Sequence, residues 1–387
     1  MKELEVPYHT LQTEALMRFL DENYCFRRNI FNDEVEYINK QNDHGWKPLR
    51  KYDQNSITLR ALRSGIEAWD KDVKRYVESM EVKSYNPLTE YLERLPSWDH
   101  RNRIGALARR VPTDNAYWES DFHLWFRAMV AQWMQCNPEH GNTLTPLLIG
   151  RQGDGKSTYC RLLLPPELRT YYTDRIDFTN RNEAVLSLRR FALINVDEYD
   201  SISSRQNAFL KHILQKADLK VRRSYSSVME QYQRYASFIA TTNDQQPLTD
   251  PSGSRRFLCI ETTGSIDLKR PINYPQLYAQ AVAEIHAGKP TYFNRRQEQR
   301  IQRSNQPYQR IDLLEEQLNS MYRIPADTET TKRMSVLHIL KELHRQNPLV
   351  NVNHGNAIRL GLILRKCGFR RHRCKDNNIY DVAIRDE

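Results

Sequence analysis

The sequence of this 387-residue chain has no long apolar run, and its few cysteines are scattered. No stretch approaches the ~18 consecutive apolar residues that a membrane helix needs. The first residues, MKELEVPYHTLQ, lack the basic and then apolar order of a signal peptide. The six cysteines form no C-x-x-C pair, so neither a disulfide framework nor a zinc site is indicated. We therefore expect a cytoplasmic protein with no membrane partner.

The sequence is rich in aromatic residues and positive charge. It has 21 Tyr, 12 Phe and 6 Trp, enough for a sizeable core, and a net charge of +10. At ~150 residues per domain, its length allows two or three domains. The surplus charge favours a polyanionic partner. Most of it lies in residues 331–387, where 12 Lys and Arg stand against 5 Asp and Glu, a net of +7.

Apolar spacing and composition divide the chain into five segments. Helical spacing predicts one long helix over Thr58–Met80, and alternation predicts a hairpin over Cys25–Asn39. Apolar strands alternate with helices from Gly141 to about Ile260, which predicts a parallel sheet with crossover helices. The predicted segments are an N-terminal accessory region (1–85), a helical lead-in (86–140), a core of alternating strands and helices (141–290), a polar helix with a linker (291–330) and a compact C-terminal unit (331–387).

The strongest motif is a phosphate-binding loop of the form G-x-x-x-x-G-K-[ST]. Its glycines let backbone N–H groups converge on phosphate oxygens. Lys156 would neutralise the β- and γ-phosphates of ATP, and the Ser157 hydroxyl would bind Mg²⁺. The alternative, a glycine-rich turn with an incidental lysine, fits the flanking strand and helix less well. The predicted nucleotide-binding residues are Gly150, Arg151, Gln152, Gly153, Asp154, Gly155, Lys156, Ser157 and Thr158.

Two later apolar strands end in polar residues, and the ends of parallel strands face the ligand crevice. The first ends at Asp197, which would hold Mg²⁺ through water, and Glu198, which would orient and deprotonate the attacking water. The second ends at Asn243, which would bind the γ-phosphate or that water. The alternatives are an acidic helix cap at Asp197 and a turn-starting amide at Asn243.

Cations occur at two further places in the core. Arg255 and Arg256 precede a short strand, and one of them is predicted to be an arginine finger acting on a neighbouring subunit's nucleotide. The alternative is a pair of surface arginines. Basic and aromatic residues also alternate in a hairpin that contains Lys220, Arg222 and Arg223. That mixture suits single-stranded nucleic acid, although an edge hairpin kept soluble by its cations would look the same.

The last segment has the order helix, helix, hairpin, which is the pattern of a winged helix. We expect it to contact DNA, with its second helix in the major groove and its hairpin on the phosphates. The alternative is a small domain for protein contacts with a basic face. The predicted DNA-contacting residues are Arg359, Arg370, Arg371, Arg373 and Lys375.

Taken together, these motifs resemble the virulence-associated protein E family, whose ATPase is similar to superfamily 3 helicases of phages and mobile elements. The resemblance spans about residues 70–260. It implies an AAA+-like P-loop ATPase core. Together with the segments described above, the expected fold is α/β, with this core, a helical N-terminal region and a C-terminal winged-helix-like domain. The resemblance also implies a homo-oligomeric ring, a hexamer, that uses ATP and Mg²⁺ to act on single-stranded DNA in its channel.

Two other functions remain open from the sequence. An ATP-switched DNA-binding or assembly protein would use the same nucleotide site without moving along DNA. A P-loop kinase of small molecules would share the loop, but the arginine pair and the basic C-terminal unit argue against it.

Overall fold

The computed structural model describes residues 8–136, 141–216, 218–222, 229–249, 255–310, 312–326, 331–373 and 378–385. The chain divides into two compact units. The first comprises Met1–Gln245 and Ser252–Asn305, and the second comprises Gln246–Pro251 and Gln306–Glu387. Within the described ranges, no helix combines the length and apolar character needed to cross a bilayer.

The N-terminal region combines helices with a small sheet. Its elements are α1 (Tyr8–Asn23), β1 (Tyr24–Asn29), β2 (Val35–Asn39), β3 (Lys47–Pro48), α2 (Lys51–Arg63), α3 (Asp70–Glu78) and β4 (Ser84–Tyr85). The strands are ordered β3-β2-β1-β4, with β1 and β2 antiparallel. The hairpin predicted at Cys25–Asn39 is therefore confirmed. The label of a helical N-terminal region is incomplete, because strands β3 and β4, which extend this hairpin into a four-stranded sheet, were not predicted.

The single helix predicted over Thr58–Met80 is also wrong. The chain leaves helix α2 at Ser64 and turns at Gly65, whose φ of 82° favours glycine. The amide of Ile66 then donates to the carbonyl of Ala61 at 3.1 Å, which closes the helix end. Both helices contribute to the same core, through Ile57 on α2 and Val73 on α3. The apolar spacing was misleading, because Leu59, Leu62 and Trp69, which carry it across the break, are exposed.

The rest of the first unit is built around a five-stranded sheet. Its elements are α4 (Pro87–Glu93), α5 (Arg103–Ala108), α6 (Trp118–Trp133), β5 (Thr145–Ile149), α7 (Lys156–Leu162), β6 (Tyr172–Thr173), α8 (Arg181–Arg190), β7 (Leu193–Val196), α9 (Ser204–Leu214), β8 (Asp218–Arg222), β9 (Met229–Gln233), β10 (Ser237–Thr242), β11 (Phe257–Glu261), α10 (Tyr274–His286) and α11 (Arg295–Ser304). The strand order is β11-β5-β10-β7-β6, with every neighbouring pair parallel. The predicted parallel sheet is confirmed.

The register of this sheet determines which residues meet at its carboxyl edge. Strand β10 lies between β5 and β7, with Thr242 opposite Ile149 and Ala240 opposite Val196. All three strands are buried along their full lengths. The segments that follow β5, β7 and β10 therefore emerge side by side.

The basic hairpin is formed by β8 and β9, which pair antiparallel from Asp218 and Gln233 to Arg222 and Met229. The sequence predicted its turn near Ser226–Glu230, but β9 already begins at Met229. Residues 223–228 lie outside the described part of the chain.

Helix α11, predicted as a polar helix ahead of a linker, belongs to the first unit. The Asn305 side chain at its end donates to the Phe257 carbonyl at 2.7 Å and accepts the Cys259 amide at 3.3 Å. These two hydrogen bonds attach the helix end to strand β11.

The second unit has its own core, formed by residues such as Leu318, Leu340, Leu360 and Val382. Its elements are α12 (Leu313–Met321), β12 (Tyr322–Arg323), β13 (Lys332–Ser335), α13 (Val336–Gln346), α14 (His354–Lys366), β14 (Arg371–Arg373) and β15 (Asn378–Ile384). Strand β15 pairs antiparallel with β12, β13 and β14. The two helices and the final hairpin occur in the predicted order, and β13 before α13 was not predicted.

Candidate functional site

The loop between β5 and α7 depends on glycine at specific positions. Gly153 and Gly155 have φ values of 89° and 87°, which side-chain-bearing residues rarely adopt. A Cβ atom on Gly150 would collide with Thr262 Oγ1, because the chain just beyond β11 passes against the loop. The glycines of the motif therefore allow both the loop's turn and its close packing.

Asp154 helps to hold the loop in this shape. Its carboxylate accepts hydrogen bonds from the Arg151 amide at 2.8 Å and from Thr262 Oγ1 at 3.2 Å. Its own carbonyl accepts the Ile266 amide at 2.9 Å. The sequence predicted that Asp154 binds nucleotide. In the structure its carboxylate binds the loop and the segment after β11.

Lys156 is held at the base of the loop and is only 7% exposed. Its ammonium group donates to the carbonyls of Gly150 and Arg151 at 2.8 and 2.7 Å, and to Asn243 Oδ1 at 2.9 Å. Burial lowers the pKa of Lys156, while the nearby carboxylates of Asp154 and Asp197 act in the opposite direction. The cation is thus bound by neutral acceptors.

Asp197 is held by hydroxyl groups from the two neighbouring motifs. Ser157 Oγ donates to Asp197 Oδ1 at 2.9 Å, and Thr241 Oγ1 donates to the same oxygen. The sequence singled out Ser157 and Asp197 but missed Thr241. The signal for Thr241 was present, since it lies on β10 two residues before Asn243.

Glu198 follows directly and has a left-handed backbone, with φ 49° and ψ 52°. A residue other than glycine in this conformation carries strain, which is concentrated at functional sites. The turn after it is fixed by buried Tyr199, whose hydroxyl bonds Asn207. Thr242 Oγ1 also donates to Asp200, a contact that the sequence did not suggest because nothing distinguishes Asp200 from a surface carboxylate.

These side chains border one cavity of about 320 Å³. It lies at the carboxyl edge of the sheet, where β5, β7 and β10 end. Its lining consists of Gln152, Gly153, Gly155, Lys156, Ser157, Thr158, Asp197, Glu198, Thr241, Thr242 and Asn243. Three motifs spread over more than 80 residues of sequence thus meet around one cavity, whose lining includes the cation Lys156 and the carboxylates of Asp197 and Glu198.

Arg255 and Arg256 are not among the described residues that line this cavity. They precede β11, and the parallel register sets Phe257 beside Thr145 at the start of β5. The arginines therefore lie at the amino edge of the sheet, whereas the loop leaves β5 at the carboxyl edge. Five residues of strand, about 16 Å at ~3.3 Å per residue, separate the two edges.

The residues predicted to contact nucleic acid have varied surroundings. Lys220 is exposed on β8, and Arg222 ends that strand. In the second unit, Arg370, Arg371 and Arg373 are exposed. Arg359 instead forms an ion pair with Asp312 of α12 at 2.7 Å. The last two predicted residues, Arg223 and Lys375, lie outside the described ranges.

Comparison with known proteins identifies structural neighbours and a family. The apo structure of the NrS-1 C-terminal region (305–718) is 11% identical, with a TM-score of 0.46, over 96% of this chain and 99% of that chain. Its A form apo structure is 12% identical, with a TM-score of 0.48, over 96% of this chain and 100% of that chain. No curated protein matches.

Two family models match the sequence. Residues 312–382 match a domain of unknown function described from a B. theta gene. Residues 92–310, more than half of the chain and all five strands of the parallel sheet, match the virulence-associated protein E-like domain. The chain therefore belongs to the virulence-associated protein E-like family.

Proposed function

We propose that this protein is a ring-forming ATPase that moves along or unwinds DNA in the replication of a phage or mobile element. The observation that carries the proposal is the meeting of Lys156, Asn243, Ser157, Asp197 and Glu198 around one cavity. An anion-binding loop, an acidic strand end and a polar amide are the parts that phosphoryl transfer to water requires. Family membership supports the role in mobile elements.

The loop supports binding of a polyphosphate such as ATP. Lys156 donates only to neutral acceptors, so a phosphate oxygen would be its first anionic hydrogen-bond partner. Left-handed Gly153 has open space where a Cβ atom would lie, which suits close approach of a phosphate to the backbone.

The oxygen donors beside the loop fit Mg²⁺. Ser157 Oγ and Asp197 Oδ1 lie 2.9 Å apart, and hydroxyl and carboxylate oxygens are ligands that this hard cation prefers. When bound there, Mg²⁺ would supply charge neutralisation for the β- and γ-phosphates.

Glu198 is the proposed base for hydrolysis. The water oxygen bonds to the γ-phosphorus while the bond from that phosphorus to the bridging oxygen of ADP breaks. The proton of the water passes to the Glu198 carboxylate, and the products are ADP and inorganic phosphate. Asn243, already within hydrogen-bond distance of Lys156, would orient the γ-phosphate or the water.

The location of the arginines supports the proposal of a ring. About 16 Å of strand separates Arg255 and Arg256 from the loop of their own chain, so an arginine finger requires the nucleotide of a neighbouring subunit. We propose a hexamer in which one of these two residues has that role. The exposed Lys220 on the basic hairpin would then contact single-stranded DNA in the channel.

The test is the rate of ATP hydrolysis by the full-length protein with and without single-stranded DNA, together with the mass of the ATP-bound assembly. We expect Mg²⁺-dependent hydrolysis that DNA stimulates, and an assembly of several subunits. Glu198→Gln should bind ATP and assemble without hydrolysing it. Glu14→Gln, an exposed change on α1, is the matched control and should behave as wild type.

Two results would contradict the motor. Slow hydrolysis that DNA does not change, with assembly retained, would indicate the ATP-switched assembly protein instead. Hydrolysis by Glu198→Gln at the wild-type rate would remove Glu198 from the mechanism.

A further inference from the structure

The second unit contains a groove of about 890 Å³ between the start of α13, one face of α14 and the β14–β15 hairpin. It is larger than the cavity beside the phosphate-binding loop. The proposed ATPase cycle does not involve this groove, so a ligand bound there would serve a separate role.

The floor of the groove is a stripe along α14. His354, Ile358, Gly361 and Arg365 are spaced four, three and four residues apart, which places them on one helical face. The Gly361 carbonyl accepts hydrogen bonds from Tyr380 Oη at 3.3 Å and Arg365 Nε at 3.2 Å, and the first of these links the helix to the hairpin. From His354 to Arg365 the stripe rises about 16 Å at ~1.5 Å per residue, or roughly three helical turns.

Apolar side chains in the groove are exposed to an unusual extent. Ile358 is 56% exposed, and Leu337 and Val352 on the opposite wall are 50% and 39% exposed. Contiguous exposed apolar surface with a charged rim marks interaction sites rather than ordinary protein surface.

The charged side chains that line the described part of the groove are positive. Arg365, Arg371 and Arg373 line it, and none of the described lining residues is acidic. Arg365 and Arg371 donate through Nε to neutral acceptors, the Gly361 carbonyl and Asn378 Oδ1.

Two neighbouring cations on α14 provide the contrast. Arg359 pairs with Asp312, which caps α12, and Lys366 pairs with Glu315 on α12, both at 2.7 Å. The cations directed at α12 therefore have carboxylate partners, whereas no described carboxylate forms an ion pair with an arginine of the groove.

We propose that this groove binds an acidic amphipathic segment of a partner protein, ten to twelve residues long. Its apolar side chains would contact Ile358, Leu337 and Val352, and its carboxylates would pair with the arginines of the hairpin. Helix-in-groove recognition uses this combination of spaced apolar anchors and charge complementarity. The proposal does not depend on ATP hydrolysis.

Duplex DNA, the occupant suggested by the sequence, fits the floor less well. Reading base edges requires hydrogen-bonding side chains on the inserted helix. The middle of the stripe instead offers Ala357, Ile358 and Gly361, and Arg359 is engaged with Asp312.

The experiment selects ligands from a displayed library of 16-residue helical peptides. Each peptide carries varied apolar residues at positions i, i+4 and i+7, with Asp and Glu between them. The target is the immobilised full-length protein. Selected peptides are then synthesised, and their affinities and that of a mixed-sequence 20-base-pair duplex are measured by fluorescence anisotropy. The variants are Ile358→Glu and Arg371→Glu.

Each variant has a matched control outside the groove. Leu349→Glu changes an apolar residue that is 76% exposed, and Lys341→Glu reverses an exposed charge on α13. We expect Ile358→Glu and Arg371→Glu to weaken peptide binding at least tenfold and the controls to change it less than twofold. Circular dichroism checks that each variant is folded.

Two outcomes would overturn the proposal. In the first, the selection yields no peptide whose affinity depends on Ile358. In the second, the duplex but not the peptide loses affinity in Ile358→Glu and Arg371→Glu, which would make the groove a DNA site.

Discussion

Two regions of the first unit each bury a cation that has no ion-pair partner among the described residues, and the difference between them distinguishes a proposed binding site from a structural support. Lys156 lies at the base of the phosphate-binding loop and Arg234 at the root of the basic hairpin. Both donate to backbone carbonyls. Lys156 borders the cavity beside the loop, whereas Arg234 has no exposed surface.

Arg234 is fully enclosed, with 0% of its surface exposed. Its guanidinium donates to five carbonyls, those of Ile213, Leu214, Lys216, Asn142 and Ala236, at 2.8 to 3.3 Å. Burial lowers its pKa to about 10. These bonds join the end of α9 to the chain before β5 and to the start of β10, so the donors of Arg234 are used for structure.

Lys156 is 7% exposed and shares its cavity with acidic and amide side chains. Its carbonyl partners belong to the loop itself, Gly150 and Arg151, rather than to distant segments. The comparison indicates that a buried cation serves binding when it borders a cavity, and serves stability when fixed carbonyls surround it.

The largest expected effect is that of Lys156→Ala on ATP hydrolysis. Loss of the cation should lower kcat about 10³-fold, since one donor to a transferring group contributes about 10²–10³. The melting temperature should change little, because two of the three hydrogen bonds that the variant removes lie within the loop itself and only the one to Asn243 reaches a distant segment. Parallel measurements of ATPase rate and thermal unfolding check this. A large fall in melting temperature would mean that Lys156, like Arg234, mainly stabilises the fold, and would contradict the comparison.

The second prediction concerns Arg234→Leu. It leaves five buried carbonyls without their donor, and we expect the free energy of unfolding to fall by about 3 kcal/mol. The matched control is Arg190→Leu, an exposed arginine at the end of α8. Urea denaturation followed by circular dichroism measures both variants. Equal midpoints for Arg234→Leu and wild type would show that the guanidinium is dispensable for stability.

The two regions also differ in how far the sequence predicts them. The loop could be predicted because its glycines, Lys156 and Ser157 are contiguous and follow an apolar strand. Its link to Asp197 and Asn243 could be anticipated, since the carboxyl ends of parallel strands meet at one edge. Arg234 could not be interpreted, because its acceptors are backbone carbonyls of three separate segments, which leave no pattern in residue types.

The same reasoning explains what was missed elsewhere. The helix predicted across residues 58–80 failed at Gly65, since apolar spacing does not register a turn between two helices that share a core. The pairing of Arg359 with Asp312 joins residues 47 positions apart, and only the packing of α14 on α12 brings them together.

The third prediction sharpens the role of the amide beside Lys156. Asn243→Ala removes the acceptor at 2.9 Å from the ammonium group and the proposed contact with the γ-phosphate or water. We expect kcat to fall about tenfold, while the affinity for ATP stays close to that of wild type. The control is Asn182→Ala, an exposed change on α8. If ATP affinity falls as much as kcat, Asn243 acts in binding rather than in hydrolysis.

The smallest expected effect concerns a third buried charge, Glu284 on α10, which has the ion-pair partners that the two cations lack. It is 2% exposed and accepts hydrogen bonds from Arg127 at 2.6 Å and His123 at 2.8 Å. Burial alone would raise the pKa of Glu284, but the hydrogen bonds of His123, Gln280 and Arg127 outweigh it and hold the pKa at about 2, below the usual 4.5.

A carboxyl group whose folded pKa is depressed stabilises the protein fully above its unfolded pKa and loses that contribution as the pH falls toward the folded value. The gap in urea midpoint between wild type and Glu284→Gln should therefore shrink as the pH falls from about 4.5 toward 2. Since other carboxylates titrate alike in both proteins, the shrinkage over this range reports on Glu284. A gap that does not depend on pH would mean that the ion pairs contribute nothing to stability. Buried charges with and without ion-pair partners would then not show the difference in their contribution to stability that the comparison requires.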